Sequence, residues 1–284
     1  MVSAIVLAGG SGSRMNSSTA KQYMDLCGIP VVLHALQTFQ RSEVVDEIVL
    51  VTRLEDMEYA RTELVQRYGL TKVSTIVAGG KERFDSVWQG ILATGADRRE
   101  SARDGSDPSE VSDSSDSSPA PNASDDSDSS NTSAASNDLD VSGDRSGQDI
   151  IMIHDGARPL VSPEMIRASV EAAQTYGACT VAVPVKDTIK VVKDGFGTDT
   201  PDRSEMYQVQ TPQTFRREVI TAAHEAFRKD PRPGITDDTM LVEEYLLRQV
   251  YIVPGDYRNL KITTPEDLAI AEALIKISSD SQLK

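Results

Sequence analysis

An α/β architecture is the fold class predicted for this chain of 284 residues: a mostly parallel sheet with helices on both faces. Three observations predict it. Short apolar runs bounded by glycine recur and read as buried strands. Stretches with apolar residues at helical spacing separate them, so strand and helix alternate, which implies right-handed crossovers. The first apolar run leads directly into Gly9-Gly10-Ser11-Gly12, and in such sheets ligands gather at the carboxyl ends of strands.

The elements follow in order. Residues 4–8 form the first strand, 31–40 a helix and 47–52 a short apolar strand. Residues 55–68 read as an amphipathic helix, stopped by Gly69 in the left-handed position. Strand 73–77 and helix 85–94 come next, then strand 150–153, helix 163–176 ended by Gly177, and strand 180–184. Residues 186–208 interrupt the alternation. Residues 188–192 and the stretch before Gln208 are expected to pair around the turn signal Asp194-Gly195. A hairpin with no helix behind it would protrude as a β-arm. Near the C-terminus Thr264 caps a helix with Pro265 at its first position, and 268–277 packs as core. The expected organisation is a single Rossmann-like domain over 1–284, carrying an insert at 100–149 and the arm at 186–208.

The glycine loop suggests the chemistry. Gly9, Gly10 and Gly12 let the backbone turn tightly and present N–H groups to a ligand, and phosphate oxygens accept from such donors. Arg14 and Lys21 add fixed positive charge. No Gly-Lys-Ser/Thr follows, which excludes a Walker loop, and Met15 stands where a dinucleotide fingerprint needs its third glycine. Taken alone, the loop could still be an ordinary strand-to-helix turn, and Lys21 a solvated side chain.

Leu7-Ala-Gly-Gly-Ser-Gly-Ser-Arg-Met15 with Lys21-Gln22-Tyr23 resembles the nucleotidyltransferases that join a nucleoside triphosphate to a sugar or polyol phosphate. Later segments narrow the resemblance: Ala78-Gly-Gly-Lys-Glu-Arg-Phe-Asp-Ser86, His154-Asp-Gly-Ala-Arg-Pro159, Asp187-Thr-Ile-Lys190, Gln210-Thr-Pro-Gln-Thr-Phe215, Ile235-Thr-Asp-Asp238 and Asn259-Leu-Lys-Ile-Thr263. In this order they look like the 2-C-methyl-D-erythritol 4-phosphate cytidylyltransferases, enzymes of non-mevalonate isoprenoid precursor synthesis. The match spans nearly the whole chain apart from the insert. Gly156 departs from it, since the family usually has alanine there.

The resemblance implies roles for particular residues. Ala8, Gly9, Gly10 and Gly12 would hold the triphosphate of CTP, and Arg14 and Lys21 would stabilise the transition state. Gly80, Arg83 and Ser86 correspond to cytosine and ribose contacts. Arg158, Thr188, Arg203, Thr211, Thr236 and Lys261 would form the polyol-phosphate pocket. Arg203 would reach in from the arm of a neighbouring subunit in a homodimer, and Lys261 would aim the attacking phosphate. Asp155 would bind substrate and hold Mg²⁺, which prefers few carboxylates plus phosphate oxygens. Its plain alternative is to cap the next turn. His154 alternates away from Asp155 and, like His34 and His224, reads as packed or backbone-bonded.

Composition sets the remaining bounds. Residues 100–149 contain 13 acidic residues, 2 arginines and 16 serines, so they carry −11 of the chain's −15 and leave −4 elsewhere. Such a tract cannot bury enough apolar surface to offset its ordering entropy. It is expected to be a disordered, solvated surface loop rather than a docking tail or a polyanion mimic. Cys27 and Cys179 form no metal or redox spacing, and no apolar run approaches the ~20 residues of a membrane span. No signal-peptide pattern opens the chain, so a cytoplasmic enzyme is expected. The rivals are a ribitol 5-phosphate cytidylyltransferase, toward which Arg203-Ser-Glu-Met-Tyr207 leans, and a non-catalytic nucleotide-binding module.

Overall fold

The computed structural model describes residues 1–10, 20–95 and 149–282. Gly12, Arg14 and all of the acidic tract except Asp149 lie outside the described residues.

Strand β1 (Val2–Ala8) leads to a 3-10 turn, Lys21–Tyr23, and to the short pair β2 (Asp25–Leu26) and β3 (Ile29–Pro30). Helix α1 (Val31–Arg41), β4 (Glu47–Thr52) and α2 (Met57–Tyr59) follow; α2 widens into a π-helical stretch, Ala60–Gln66. Then come β5 (Val73–Ala78), α3 (Arg83–Ala93), β6 (Ile150–Asp155), α4 (Pro163–Tyr176) and β7 (Ala178–Pro184). The chain continues through β8 (Val191–Lys193), β9 (Phe196–Asp199), β10 (Tyr207–Arg216), α5 (Arg217–Lys229), α6 (Asp238–Leu246), β11 (Tyr251–Pro254) and α7 (Pro265–Gln282).

Seven of these strands make one sheet in the order β11-β7-β10-β6-β1-β4-β5. Strands β6, β1, β4 and β5 are mutually parallel, β11 is parallel to β7, and β10 runs antiparallel to both of its neighbours. The apolar runs of β1 and β4 follow from burial on both faces. On one face Ala4, Val6 and Ala8 pack with Val32, Leu36 and Phe39 of α1 and with Ile166 and Val170 of α4. On the other, Ile5 and Val51 meet Val87 and Ile91 of α3, Ile220 of α5 and Leu241 of α6. The α/β reading is therefore correct, with helices on both faces. Gly177 closes α4 at φ +85°, as its helix-stop signal required.

Helix α3 lies unusually close to the sheet at Gly90. A Cβ there would fall 2.5 Å from Ile5 Cγ2 and 3.3 Å from Val51 Cγ2. Alanine would gain about 1 kcal/mol of helix propensity but overpack the interface by about 1–3 kcal/mol. Gly90→Ala is thus expected to lower the unfolding free energy in urea; a stabilised variant would contradict the packing.

Three local expectations change. The turn at Asp194-Gly195 forms with φ +49° and +83°, but it joins β8 to β9. Tyr207 instead opens β10 and pairs with Pro184 of β7, so the protruding hairpin is shorter than 186–208. A ten-residue strand gains more by closing the central sheet than by extending an exposed ribbon. In α7, Ile270 and Ile277 are exposed, whereas Ala271 is buried and Leu268 and Ile275 pack with it against Leu26, Val31 and Ile262, so the expected core stretch is split between packed and exposed residues. Its first turn is tied down by Asp267, whose carboxylate accepts from the Thr263 and Thr264 amides at 2.8 Å each.

At the amino end of the sheet the two chain segments around the acidic tract meet at Arg217. Its Nη1 donates to Thr94 Oγ1 at 2.7 Å and its Nε lies 3.3 Å from Asp149 Oδ2. The amino group of Met1 also reaches Asp149, at 3.1 Å, and the Gly95 amide donates to Glu47 at 2.8 Å.

Candidate active site

The carboxyl ends of β1, β4, β5 and β6 are laced together by backbone hydrogen bonds. Gly79 N–H donates to the Thr52 carbonyl at 2.7 Å, and Gly156 N–H to that of Leu7 at 2.8 Å. The loop after β1 starts at this edge. Buried Gln22 donates through Nε2 to the carbonyls of Ala8 (2.6 Å) and Gly10 (3.1 Å), which holds the loop's entry. Lys21 runs past Gly10, its Cε 4.0 Å from where a Cβ would stand. The Gly79-Gly80 turn is shaped by Ser86, whose Oγ accepts from Gly80 N–H at 3.1 Å and donates to the Glu82 carbonyl.

Asp155 ends β6 and is the electrostatic centre of this edge. Its Oδ2 lies 2.8 Å from Lys261 Nζ and 3.8 Å from Arg158 Nε. Burial alone would raise its pKa, but Lys261, Arg83 and Arg158 outweigh burial and hold the carboxyl well below the usual range. Arg158 is itself aimed by a hydrogen bond from Nη1 to the Asn259 carbonyl, 2.7 Å. Asn259 is fully buried and donates to the Thr211 carbonyl and to Gln210 Oε1. Arg158 and Lys261 open onto a cleft of about 410 Å³ that Gln210, Tyr257 and Thr263 also line.

His154 faces the opposite layer, edge-on to Phe39. Its Nε2 is 3.1 Å from the Arg158 carbonyl, which can only accept, so Nε2 carries the proton. Nδ1 then accepts from the Thr211 hydroxyl at 3.0 Å, and that oxygen accepts from the Asp155 amide at 3.1 Å. This is the packed, backbone-bonded histidine that its position predicted. Burial pushes its pKa down from 6.5 to about 4. The unfolded chain therefore binds a proton that the folded chain refuses between those values, and stability should fall as pH drops through that window. An NMR titration showing His154 protonating near 6.5 would contradict this placement.

The whole-chain comparisons match this geometry. The model of the family described as 2-C-methyl-D-erythritol 4-phosphate cytidylyltransferase (IspD) matches residues 2–109 and 129–277. The chain belongs to this cytidylyltransferase family. A protein of that name from Pelotomaculum thermopropionicum is 41% identical over 276 residues, covering 97% of this chain and 94% of the relative. One from Geobacter metallireducens is 40% identical over 275 residues, covering 97% of each. The solved structure of 4-diphosphocytidyl-2C-methyl-D-erythritol synthase from Anaerococcus prevotii has a TM-score of 0.69 at 28% identity, covering 97% of this chain and 96% of that one.

For this cytidylyltransferase-family chain, the structure gathers Ala8, Gly9, Gly10, Lys21, Gly80, Arg83, Ser86, Asp155, Arg158, Thr211 and Lys261 at the carboxyl edge of the sheet. Thr211 is buried there, with its hydroxyl engaged by His154 and Asp155. Thr236 is exposed just before α6. Thr188 and Arg203 lie on the arm segment, where Arg203 donates to the Lys186 carbonyl at 2.9 Å. Gly156 is a larger departure than its sequence suggested: a Cβ would fall 2.8 Å from the Leu7 carbonyl oxygen.

Sequence reasoning gave no role to Gln22, Gln210, Gln213 or Asn259, all buried polar residues. Their signal was present, because amides inside quoted motifs must find partners once buried. His224 is packed, as one of its two expected readings had it, but its contact with Asp238, 3.1 Å away, was missed. No helix among the described residues is long and apolar enough to cross a membrane, and no group of three metal-ligating side chains occurs among them.

Proposed function

We propose that this chain transfers a cytidylyl group from CTP to 2-C-methyl-D-erythritol 4-phosphate, giving CDP-methylerythritol and pyrophosphate in non-mevalonate isoprenoid precursor synthesis. The observation that carries the reading is the ionised Asp155 ringed by Lys261, Arg158 and Arg83 beside the glycine loop, in a chain of this family. Nucleotidyl transfer develops negative charge on the α-phosphate and on departing pyrophosphate, so alignment and neutralisation matter more than a general base.

The loop amides from Ala8 to Gly12 would cradle the triphosphate, with Arg14 and Lys21 countering its charge. Gly80, Arg83 and Ser86 would take the cytidine. Arg158, Lys261 and Thr236 would hold the polyol phosphate so that its oxygen attacks the α-phosphorus in line. Asp155 fits the requirement for Mg²⁺, since one ionised carboxylate at the phosphate loop suffices when phosphate oxygens complete the shell. Mg²⁺ bound there would neutralise phosphate charge. The arm exposes Val192 and Phe196, at 59% and 77%, which supports a homodimer whose partner covers them and receives Thr188 and Arg203. Two free cysteines, one exposed and one buried, accord with a cytoplasmic enzyme.

The test is pyrophosphate release with CTP and Mg²⁺, offering methylerythritol 4-phosphate and ribitol 5-phosphate in parallel. Preference for the first supports the proposal, and preference for the second transfers it to ribitol phosphate. Silence with both would favour a nucleotide-binding module.

A further inference from the structure

Arg83 stands at the first position of α3, and the contact that fixes it comes from a different helix. Its Nη1 lies 2.6 Å from Oδ2 of Asp238, the first residue of α6. Asp238 is completely buried, and its other carboxylate oxygen meets His224 Nε2 of α5 at 3.1 Å. His224 is also buried, stacked on Trp88 of α3 with ring centroids 6.1 Å apart. The backbone of Asp238 is fixed as well: its N–H donates to Gln213 Oε1 at 3.2 Å, while Gln213 Nε2 donates to Asp237 at 2.7 Å. Asp237 in turn caps α6 through Met240 N–H, at 2.9 Å.

Burying a carboxylate between an arginine and a histidine is expensive, and apolar residues of the same volume would often stabilise a fold at least as well. Folding alone therefore explains this arrangement poorly. A side chain as long as arginine has about 2 kcal/mol of rotamer entropy, and a fixed carboxylate removes that freedom before any ligand arrives. Arg83 keeps 27% of its side chain exposed, while the Nη1 that meets Asp238 is itself buried.

We propose that Asp238, backed by His224, is a positioning residue that holds Arg83 in its nucleotide-contacting rotamer and so sets the affinity for CTP. The inference rests on the reading of Arg83 as a nucleotide contact. Asp238 touches no reacting atom in this scheme. Its loss should register in substrate affinity far more than in the chemical step.

The test is a double-substitution cycle on the full-length protein, reading KM for CTP and kcat separately. Asp238→Asn keeps the shape and removes the charge. It should raise KM for CTP by about tenfold, the scale of losing one close contact to a charged group, and change kcat at saturating CTP much less. Arg83→Ala should raise the same KM, and adding Asp238→Asn to it should have no further effect. Additive effects, or a loss confined to kcat, would overturn the proposal while leaving Arg83 as a nucleotide contact. An unchanged KM in Arg83→Ala would overturn both. If Asp238→Asn does not fold, Asp238→Glu provides the same cycle, because the longer carboxylate displaces the guanidinium; its KM effect must likewise vanish without Arg83.

Discussion

Lys21→Ala is expected to reduce kcat by roughly 10³-fold while leaving the fold intact. Lys21 opens the 3-10 turn that follows the glycine loop, and its stem passes over Gly10. The turn itself is held by Gln22, whose amide bonds to Ala8 and Gly10 are independent of the lysine. Deleting the ammonium therefore removes positive charge beside Gly10 while the Gln22 bonds that hold the turn remain. Preorganised cations aimed at developing charge contribute about 10²–10³ in rate, and cationic fingers in phosphoryl transfer more. Pyrophosphate release measured at saturating CTP checks the prediction, with thermal unfolding as the control for folding. Turnover within about threefold of the parent would remove Lys21 from the transition state.

Asp155→Asn should be the second large loss, and it should appear in both activity and stability. The carboxylate is the hub for Lys261 and Arg158, so its neutral isostere leaves those cations facing one another. A fall of roughly 10²–10³ in kcat/KM is expected, together with about 1–3 kcal/mol of stability at neutral pH for a charged partner left unpaired. The acid dependence has a definite sign. The folded carboxyl lies below its unfolded value despite burial, because Lys261, Arg83 and Arg158 favour the charged form. Its stabilisation is complete above the unfolded pKa of ~3.9 and disappears as pH falls through the folded value. The stability gap between parent and variant should therefore be widest near neutrality and close only in strong acid. A gap that widened toward acid would refute the ion-pair account.

What could be read from the sequence was what neighbouring residues decide. Gly177 after an amphipathic stretch marked a helix end, and Asp194-Gly195 marked a turn. The alternating faces of β1 and β4 were visible as apolar runs. Strand β10 was not identified, because Gln210, Thr211, Pro212 and Gln213 interrupt its apolar pattern and its register shifts between Val209 and Gln213. Those same polar residues are where the site is assembled, so the local rule failed at a functional position. Asp155, Lys261 and Arg158 were each identified as site residues, yet their convergence depends on Asn259, 101 positions from Arg158. The pairing of Arg83 with Asp238 likewise depends on how α3 and α6 pack on one face, which no short window of sequence records.

The Arg217 clasp has a consequence for how this protein can change. Thr94 and Asp149 are held by one guanidinium, so the described chain on either side of the acidic tract is brought to nearly the same point. That point is at the amino end of the sheet, opposite the edge that carries Asp155. With its two ends already joined, a loop adds only a logarithmic closure term, about 0.6 kcal/mol for each doubling of length. Evolution could therefore lengthen, shorten or rewrite the segment between them almost without selection from catalysis. An engineer could use the same junction as a port, inserting a reporter domain there and expecting cytidylyl transfer to continue.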